Sequence, residues 1–200
     1  MSTPLPLLLA SASPRRAELL RQLGVPFAMA IPEVEEVIPA VGVAPVALAE
    51  LNARRKAEAV RTAAPGQIIL AADTVVVLDD RILGKPDEVA QAREMLRQLS
   101  GRTHSVITGL CLRAGDRELT AHVETRVTLA ALSDDLLRAY LETGEPLDKA
   151  GAYGIQGYAA SFVERIEGDY TNVVGLPLQR LGVMLREFGI EVHRYWPVTG

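Results

Sequence analysis

The sequence has few of the features that mark several large classes of protein. Its single cysteine, Cys111, cannot form a disulfide within the chain, and no group of cysteine and histidine has the spacing of a zinc site. Aromatic residues make up only 4% of the chain, which predicts a mainly aliphatic core. The net charge of −4 comes with no basic tract. This charge argues against a non-specific nucleic-acid binder but is compatible with a site for one small phosphorylated molecule.

Long apolar runs are also missing. No segment approaches the roughly 18 apolar residues of a membrane-spanning helix. The start "PLPLLLASA" resembles a short signal peptide, but no lysine or arginine precedes its apolar run. We interpret this segment as a buried strand and expect a soluble, cytoplasmic protein without a membrane partner.

The sequence does contain strand-like and helix-like segments that interleave along 200 residues without an obvious linker. This alternation predicts the α/β class and a single domain over residues 1–200. Predicted strands lie at residues 5–10, within 25–40, and at 68–72, 74–78, 104–113, 119–132, 161–168 and 190–196. Predicted helices lie at residues 14–23, 45–62, 87–99, 133–140 and 176–188.

The first strand leads into a helix through "ASASPRR". Ser13 suits the N-cap and Pro14 the first helical position. Backbone N–H groups, the Ser11 hydroxyl and the positive end of the helix dipole could together bind a phosphate, with Arg15 and Arg16 adding charge. The alternative is a solvated first turn whose arginines point away from the protein.

Acidic residues occur in two settings. Asp73 interrupts the apolar run "IILAADTVVVL", where a carboxylate is costly unless it is paired or binds a metal. The alternative for Asp73 is a strand-end residue that caps a neighbouring turn. Glu33, Glu35 and Glu36 belong to "PEVEE", where a solvated acidic loop explains at least two of the three.

Two lysines and one histidine are weaker candidates. Lys56 within a helix and Lys85 in "LGKP" each have the simple interpretation of a surface lysine. His104 lies in a loop beside a Gly-Arg pair, and its role stays open.

The most unusual segment is "DKAGAYGIQGYAASFVERIEGDYTNVVGLP", residues 148–177. Its glycines would allow a ligand to approach the backbone closely, and the amide of Gln156 could bind the edge of a base. The alternative is a long flexible loop.

Five segments together resemble the Maf family of nucleoside triphosphate pyrophosphatases, over nearly the whole chain and in the expected order. They are "ASASPRRAELL", "AADTVVVLDDRILGKP", "LSGRTHSVITG", "TGEPLDKAGAYGIQG" and "IEGDYTNVVGLP". The resemblance implies an α/β fold akin to inosine triphosphate pyrophosphatases, with a long mixed sheet and a cleft between two lobes. It also implies a homodimer, a divalent cation (Mg²⁺ or Mn²⁺), and hydrolysis of a nucleoside triphosphate to monophosphate and pyrophosphate.

The resemblance also implies roles for individual residues. Asp73 falls on the family's proposed proton acceptor, and Glu36 falls on a family acidic position near the phosphate site. We expect Asp73 and Glu36 to hold the divalent cation. The positions that line the phosphate site correspond to Ser11, Arg15, Arg16, Lys56 and Lys85.

The family divides by substrate, into a branch that prefers dTTP and UTP and a branch that prefers 7-methyl-GTP. Three discriminating positions correspond here to Arg15, Thr74 and Gln156, which resemble the pyrimidine branch. We therefore expect a house-cleaning dTTP/UTP pyrophosphatase that limits incorporation of non-standard nucleotides. The alternatives are a nucleotide-sensing regulator of septum formation without significant turnover, and a pyrophosphatase that prefers 7-methyl-GTP.

Overall fold

A computed structural model of the chain describes residues 7–34, 43–61 and 66–197. Helices and strands alternate through these ranges, as predicted for an α/β protein. The strands are β1 (Leu7–Ala10), β2 (Phe27–Ala30), β3 (Ile68–Leu78), β4 (Arg81–Leu83), β5 (Thr103–Ala114), β6 (Arg117–Leu129) and β7 (Val163–Glu167). The α-helices are α1 (Pro14–Gln22), α2 (Pro45–Ala59), α3 (Val89–Leu99), α4 (Asp134–Glu142), α5 (Tyr170–Val174) and α6 (Leu178–Glu187).

The strands form a mixed sheet with the order β2-β1-β3-β5-β6-β7, and β4 pairs with β3. β1 pairs in parallel with both β2 and β3, so that Ala10 stands opposite Ala30 and Ala71. All of β1 is buried, which explains its continuous apolar sequence. β3 is one continuous strand rather than the two predicted segments, and Asp73 lies within it.

The chain divides into two compact units. The first unit comprises Met1–Asp73, Thr108–Val123 and Gly175–Gly200, and the second comprises Thr74–Ile107 and Glu124–Val174. β3, β5 and β6 each contribute residues to both units. Neither unit is therefore a continuous stretch of chain, and a single domain over residues 1–200 stays a prediction.

Within the first unit, the backbone of α2 comes very close to β5. A Cβ atom at Gly109 would overlap the backbone of Ala49 and Glu50, so this position accepts no side chain while α2 stays where it is. Small residues on both elements make this approach possible. One buried core cluster of this unit contains Leu8, Ala10, Ala53, Ala57, Val60, Ile69, Ala71 and Cys111.

Cys111 is buried, as its apolar surroundings predict. Burial raises the pKa of its thiol to about 12. Its part in the fold is that of a small apolar side chain.

Three details differ from the sequence-based expectation. Residues Val192–Tyr195 form a 3₁₀ turn instead of a last strand, and its hydrogen bonds are local, for example from the Arg194 N–H to the Glu191 carbonyl. Leu51 is an apolar position of the helix predicted over 45–62, and the pattern of the helix predicted over 87–99 places Val89 on its inward side, but these residues are 45% and 46% exposed. Leu51 falls outside the buried stripe of α2, and Val89 stands at the first position of α3, before its buried stripe begins.

None of the helices in the described ranges combines the length and the apolar character needed to cross a bilayer.

Candidate active site

The turn between β1 and α1 is held by its own serines. The N-cap Ser13 accepts a hydrogen bond from the backbone N–H of Arg16 at 3.5 Å, and Pro14 occupies the first helical position, as predicted. The hydroxyl oxygen of Ser11, which is buried, accepts from the N–H of Ser13 at 3.1 Å. These serine oxygens therefore satisfy donors of the turn itself, and each hydroxyl has its own proton to donate to a ligand.

The two arginines of this turn are both half-buried. The Nε atom of Arg16 donates to the carbonyl of Gly175 at 2.8 Å. This bond joins the first turn of α1 to the segment that precedes α6. Arg16 is thus held against the protein, which argues against the alternative of a fully solvated first turn.

Asp73 is the centre of a buried polar group. The Nζ atom of Lys56 lies 2.5 Å from its Oδ1 atom, and the Nδ2 atom of Asn52 donates to its Oδ2 atom at 3.1 Å. All three residues are at most 8% exposed. The interpretation of Lys56 as a surface lysine is wrong, and the carboxylate in the apolar run is paired, as its cost in that position requires.

Helical spacing explains this group. Asn52 and Lys56 are four residues apart, so they lie one turn apart on the same face of α2. That face is otherwise formed by small and apolar buried residues, namely Leu48, Ala49, Ala53 and Ala57. Asn52 is not among the residues that the sequence motifs single out. The sequence pattern that could have identified Asn52 is a polar amide within an apolar helical stripe, one turn before a lysine.

The register of the sheet places the end of β1 beside the part of β3 that contains Asp73. Ala10 pairs with Ala71 in parallel strands, so Ser11 leaves the sheet next to the part of β3 that contains Asp73. The register therefore brings Ser11 near the Asp73–Lys56 pair, and α1 begins three residues after Ser11 in the same unit.

The buried ion pair itself points to function. Replacing such a pair by apolar residues is often neutral or stabilising, so a buried pair is a poor source of stability. A carboxylate held between an ammonium group and an amide is suited to orienting a water molecule or a cation. The group of Asn52, Lys56 and Asp73 is therefore the candidate active site among the described residues.

The remaining candidates lie in the second unit. Thr74 follows Asp73 on β3 and is half-buried, whereas Lys85 and Gln156 are exposed. A hydrogen bond from the N–H of Gly151 to the carbonyl of Gly84, at 3.1 Å, joins the segment of Lys85 to the glycine-containing loop at the start of residues 148–177. Gln156 lies in a tight turn of the same loop.

His104, whose role the sequence left open, lies on β5 instead of in the expected loop, and it is buried in the second unit. Its Nε2 atom lies 2.8 Å from the hydroxyl of Tyr153, and its Nδ1 atom has no hydrogen-bond partner among the described residues. Burial lowers the pKa of His104 to about 4. The ring of His104 is neutral and buried, and it packs edge-to-face against Tyr153. We assign it a packing role and no catalytic role.

The acidic residues fit a divalent cation only together with a substrate. Among the described residues, no three His, Cys, Asp or Glu side chains are grouped to hold a metal ion. Asp73 offers one carboxylate, and Glu36 and Glu35 lie outside the described residues. Mg²⁺ is usually bound through one or two carboxylates plus substrate phosphates, so a single carboxylate beside a phosphate site fits such an ion.

Comparison with solved structures supports the fold. The Staphylococcus aureus Ham1 protein matches with a TM-score of 0.51 at 14% identity, over 92% of this chain and 99% of that chain. At this identity the likeness concerns the fold, and it agrees with the α/β fold that the sequence motifs imply.

Comparison with known sequences gives much higher identity. A protein from Symbiobacterium thermophilum named dTTP/UTP pyrophosphatase is 55% identical over 186 residues, which cover 93% of this chain and 95% of that protein. Proteins of the same name from Exiguobacterium sibiricum and a Bacillus cereus strain are 51% and 48% identical, and each covers at least 93% of this chain. Residues 6–188 match the family model described as Maf-like protein. With a match of this length, and with these relatives, the chain belongs to the Maf family.

Proposed function

We propose that this protein is a nucleoside triphosphate pyrophosphatase that hydrolyses dTTP and UTP to the monophosphate and pyrophosphate. The observation that carries the proposal is the buried Asp73–Lys56 pair, whose carboxylate lies on β3, the strand that pairs with β1 directly before the α1 turn. The names of relatives about half identical to this chain support the reaction and the pyrimidine preference. As part of the proposal, the protein acts in the cytoplasm as a homodimer that removes non-standard nucleotides.

Binding of the triphosphate is assigned to the residues around the start of α1. The helix N-terminus and the Ser11 hydroxyl would meet phosphate oxygens. Arg15 and Arg16 add forked donors, and the bond from Arg16 to Gly175 presets the orientation of one guanidinium. Lys56 and Lys85 complete the positive charge of the phosphate site. Such a set needs few cations, which agrees with the acidic composition of the chain.

Asp73 is assigned the central chemical role. It would orient or deprotonate the water that attacks the α-phosphorus, with pyrophosphate as the leaving group. Lys56 and Asn52 fix the direction of its carboxylate. Asp73 and Glu36 would hold a divalent cation, Mg²⁺ or Mn²⁺, which when bound offsets negative charge on the phosphate oxygens.

Substrate preference is assigned to Arg15, Thr74 and Gln156. The exposed amide of Gln156 offers both a donor and an acceptor to the edge of a pyrimidine. A base with the wrong pattern would leave these polar groups unpaired, and such a mismatch can discriminate strongly.

Product analysis tests the proposal directly. The purified protein with Mg²⁺ is incubated separately with dTTP, UTP, CTP, GTP and 7-methyl-GTP, and the products are identified. We expect monophosphate and pyrophosphate from dTTP and UTP. Turnover of 7-methyl-GTP alone would contradict the assigned preference, and binding without turnover of any nucleotide would favour a nucleotide-sensing regulator.

Replacing Asp73 tests the assigned chemistry. For Asp73→Asn we expect kcat with dTTP to fall by about 10³-fold or more, because the amide neither accepts a proton nor binds a cation well. The ammonium group of Lys56 then stays buried without its carboxylate, so the free energy of unfolding should fall by about 3–5 kcal/mol while the fold persists.

The control for this variant is Asp80→Asn, in an exposed turn with φ of 62°, a conformation that asparagine adopts readily. We expect it to match the unmodified protein. Turnover of Asp73→Asn within tenfold of the unmodified protein, measured at a temperature where both are folded, would contradict the role of Asp73.

A further inference from the structure

The turn that carries Gln156 is built around the side chain of another residue, Glu145. The turn is closed by a bond from the N–H of Gly157 to the carbonyl of Gly154, at 2.9 Å. On its far side, the N–H of Tyr158 donates to the Oε2 atom of Glu145 at 3.0 Å. The carboxylate of Glu145 therefore holds the chain two residues after Gln156.

The same carboxylate is linked to the near side of the turn through Tyr140. The hydroxyl of Tyr140 donates to the Oε1 atom of Glu145 at 2.9 Å and accepts from the N–H of Gly154 at 3.2 Å. Burial and the neighbouring carboxylate of Glu145 raise the pKa of Tyr140, so its hydroxyl keeps the proton that it donates. Both sides of the turn are thus bonded to the carboxylate of Glu145. Tyr158 is bonded to it directly, and Gly154 is bonded to it through the hydroxyl of Tyr140.

The two glycines of the turn fit this arrangement. A Cβ atom at Gly157 would overlap the carboxylate of Glu145, and a Cβ atom at Gly154 would lie 2.5 Å from the Cε atom of Lys149. Lys149 in turn donates to the backbone carbonyl of Glu145 at 2.7 Å. The glycines therefore leave room for the side chains that hold the turn, which is a more specific use than loop flexibility.

We infer that Glu145 is a positioning residue for substrate selection, because its carboxylate fixes the turn that presents the amide of Gln156. This inference rests on the base-reading role of Gln156 in the proposed function. Glu145 acts on the preference for the base, through Gln156, and leaves the binding of the triphosphate and the step at Asp73 unchanged. A donor and an acceptor whose direction is fixed before the base arrives discriminate more strongly, because no binding energy is lost in ordering them.

The test combines Glu145→Ala with Gln156→Ala and measures three quantities. These are kcat and KM with dTTP, the ratio of kcat/KM for dTTP to that for CTP, and the competitive inhibition constant of tripolyphosphate, which has no base. For Glu145→Ala we expect KM for dTTP to rise about tenfold and the dTTP/CTP ratio to fall. The tripolyphosphate constant should stay within about twofold, which a general structural defect would not allow.

The double variant shows whether Glu145 acts through Gln156. If it does, Glu145→Ala adds less than about threefold to the loss already caused by Gln156→Ala. Glu142→Ala is the matched control, because Glu142 is an exposed glutamate on α4, the helix that carries Tyr140. We expect it to behave as the unmodified protein.

Two further variants keep the test decisive if Glu145→Ala fails to fold. Glu145→Gln keeps one acceptor oxygen and should give an intermediate loss of discrimination. Gly157→Ala should displace the carboxylate and reproduce the effect of Glu145→Ala.

The possible failures are distinguishable. If Gln156→Ala behaves as the unmodified protein, the base-reading role of Gln156 is wrong and the inference falls with it. If Gln156→Ala loses discrimination while the folded Glu145 variants keep it, the inference alone is overturned. Equal losses of dTTP turnover and tripolyphosphate binding, or multiplicative losses in the double variant, would also overturn it.

Discussion

Asn52 belongs to the candidate site in the structure, although the sequence motifs do not include it. Its amide donates to one oxygen of Asp73 while Lys56 engages the other. Without Asn52, the carboxylate could rotate about its terminal bond, and a buried acceptor would lose its partner.

We therefore expect Asn52→Ala to lower kcat with dTTP by about ten- to a hundredfold while changing KM by less than about threefold. Its free energy of unfolding should fall by about 1–3 kcal/mol. Steady-state kinetics and urea unfolding measure these effects. Leu51→Ala, at an exposed position on the same helix, is the control and should match the unmodified protein. A kcat for Asn52→Ala within twofold of the unmodified protein would show that the amide has no positioning role.

The sequence alone predicts part of the candidate site. Asp73 stands out because a carboxylate within an apolar strand needs a partner, and the structure supplies that partner in Lys56. Residue type alone misplaces Lys56 at the surface, since lysines are rarely buried. Its true position depends on which helix face meets the sheet, and that follows from tertiary packing.

At the scale of elements, the position of α2 depends on Gly109 in β5. A Cβ atom there would meet the helix backbone, which cannot move aside as a flexible side chain can. For Gly109→Ala we expect a loss of about 1–3 kcal/mol in the free energy of unfolding, because α2 must shift. Since α2 carries both Asn52 and Lys56, kcat with dTTP should fall as well, by about tenfold or more.

The control for Gly109→Ala is Gly182→Ala in α6, where the added Cβ would come within 4 Å of no atom beyond the local backbone of its own helix. Alanine is the better helix former, so that variant should be up to about 1 kcal/mol more stable, with unchanged kcat. Urea unfolding and steady-state kinetics compare the two. A Gly109→Ala variant as stable and active as the unmodified protein would show that the close approach is not required.

Strong local signals predict the elements well. Ser13 and Pro14 predict a capped helix start that the structure confirms, and Ser133, where the helix predicted over 133–140 begins, is the N-cap of α4. The segment 190–196 shows the limit of such signals, because an alternating pattern needs a neighbouring strand to become part of a sheet. Its described backbone instead makes local hydrogen bonds.

At the scale of the whole molecule, His104 makes the stability depend on pH. Burial lowers its pKa from the ordinary 6.5 to about 4. Between these pH values the unfolded chain binds a proton that the folded chain does not. The titration of His104 therefore leaves the free energy of unfolding unchanged above about pH 6.5 and lowers it as the pH decreases toward 4. At pH 5 the loss should be about 2 kcal/mol.

The measurement is urea unfolding at pH 7 and pH 5 for the unmodified protein and for His104→Gln. The variant should lose less stability over this interval, by about 2 kcal/mol, although it starts from a lower value at pH 7. His122→Gln is the control, since His122 is 45% exposed. An equal pH dependence in all three proteins would contradict the neutral state assigned to His104.

The buried thiol of Cys111 has a practical consequence. It is the only cysteine of the chain and has no exposed surface. A thiol-modifying reagent can therefore label the protein only when the strand around residue 111 opens, and each molecule can react only once. The labelling rate under native conditions would report how often this part of the core opens, without any engineered probe.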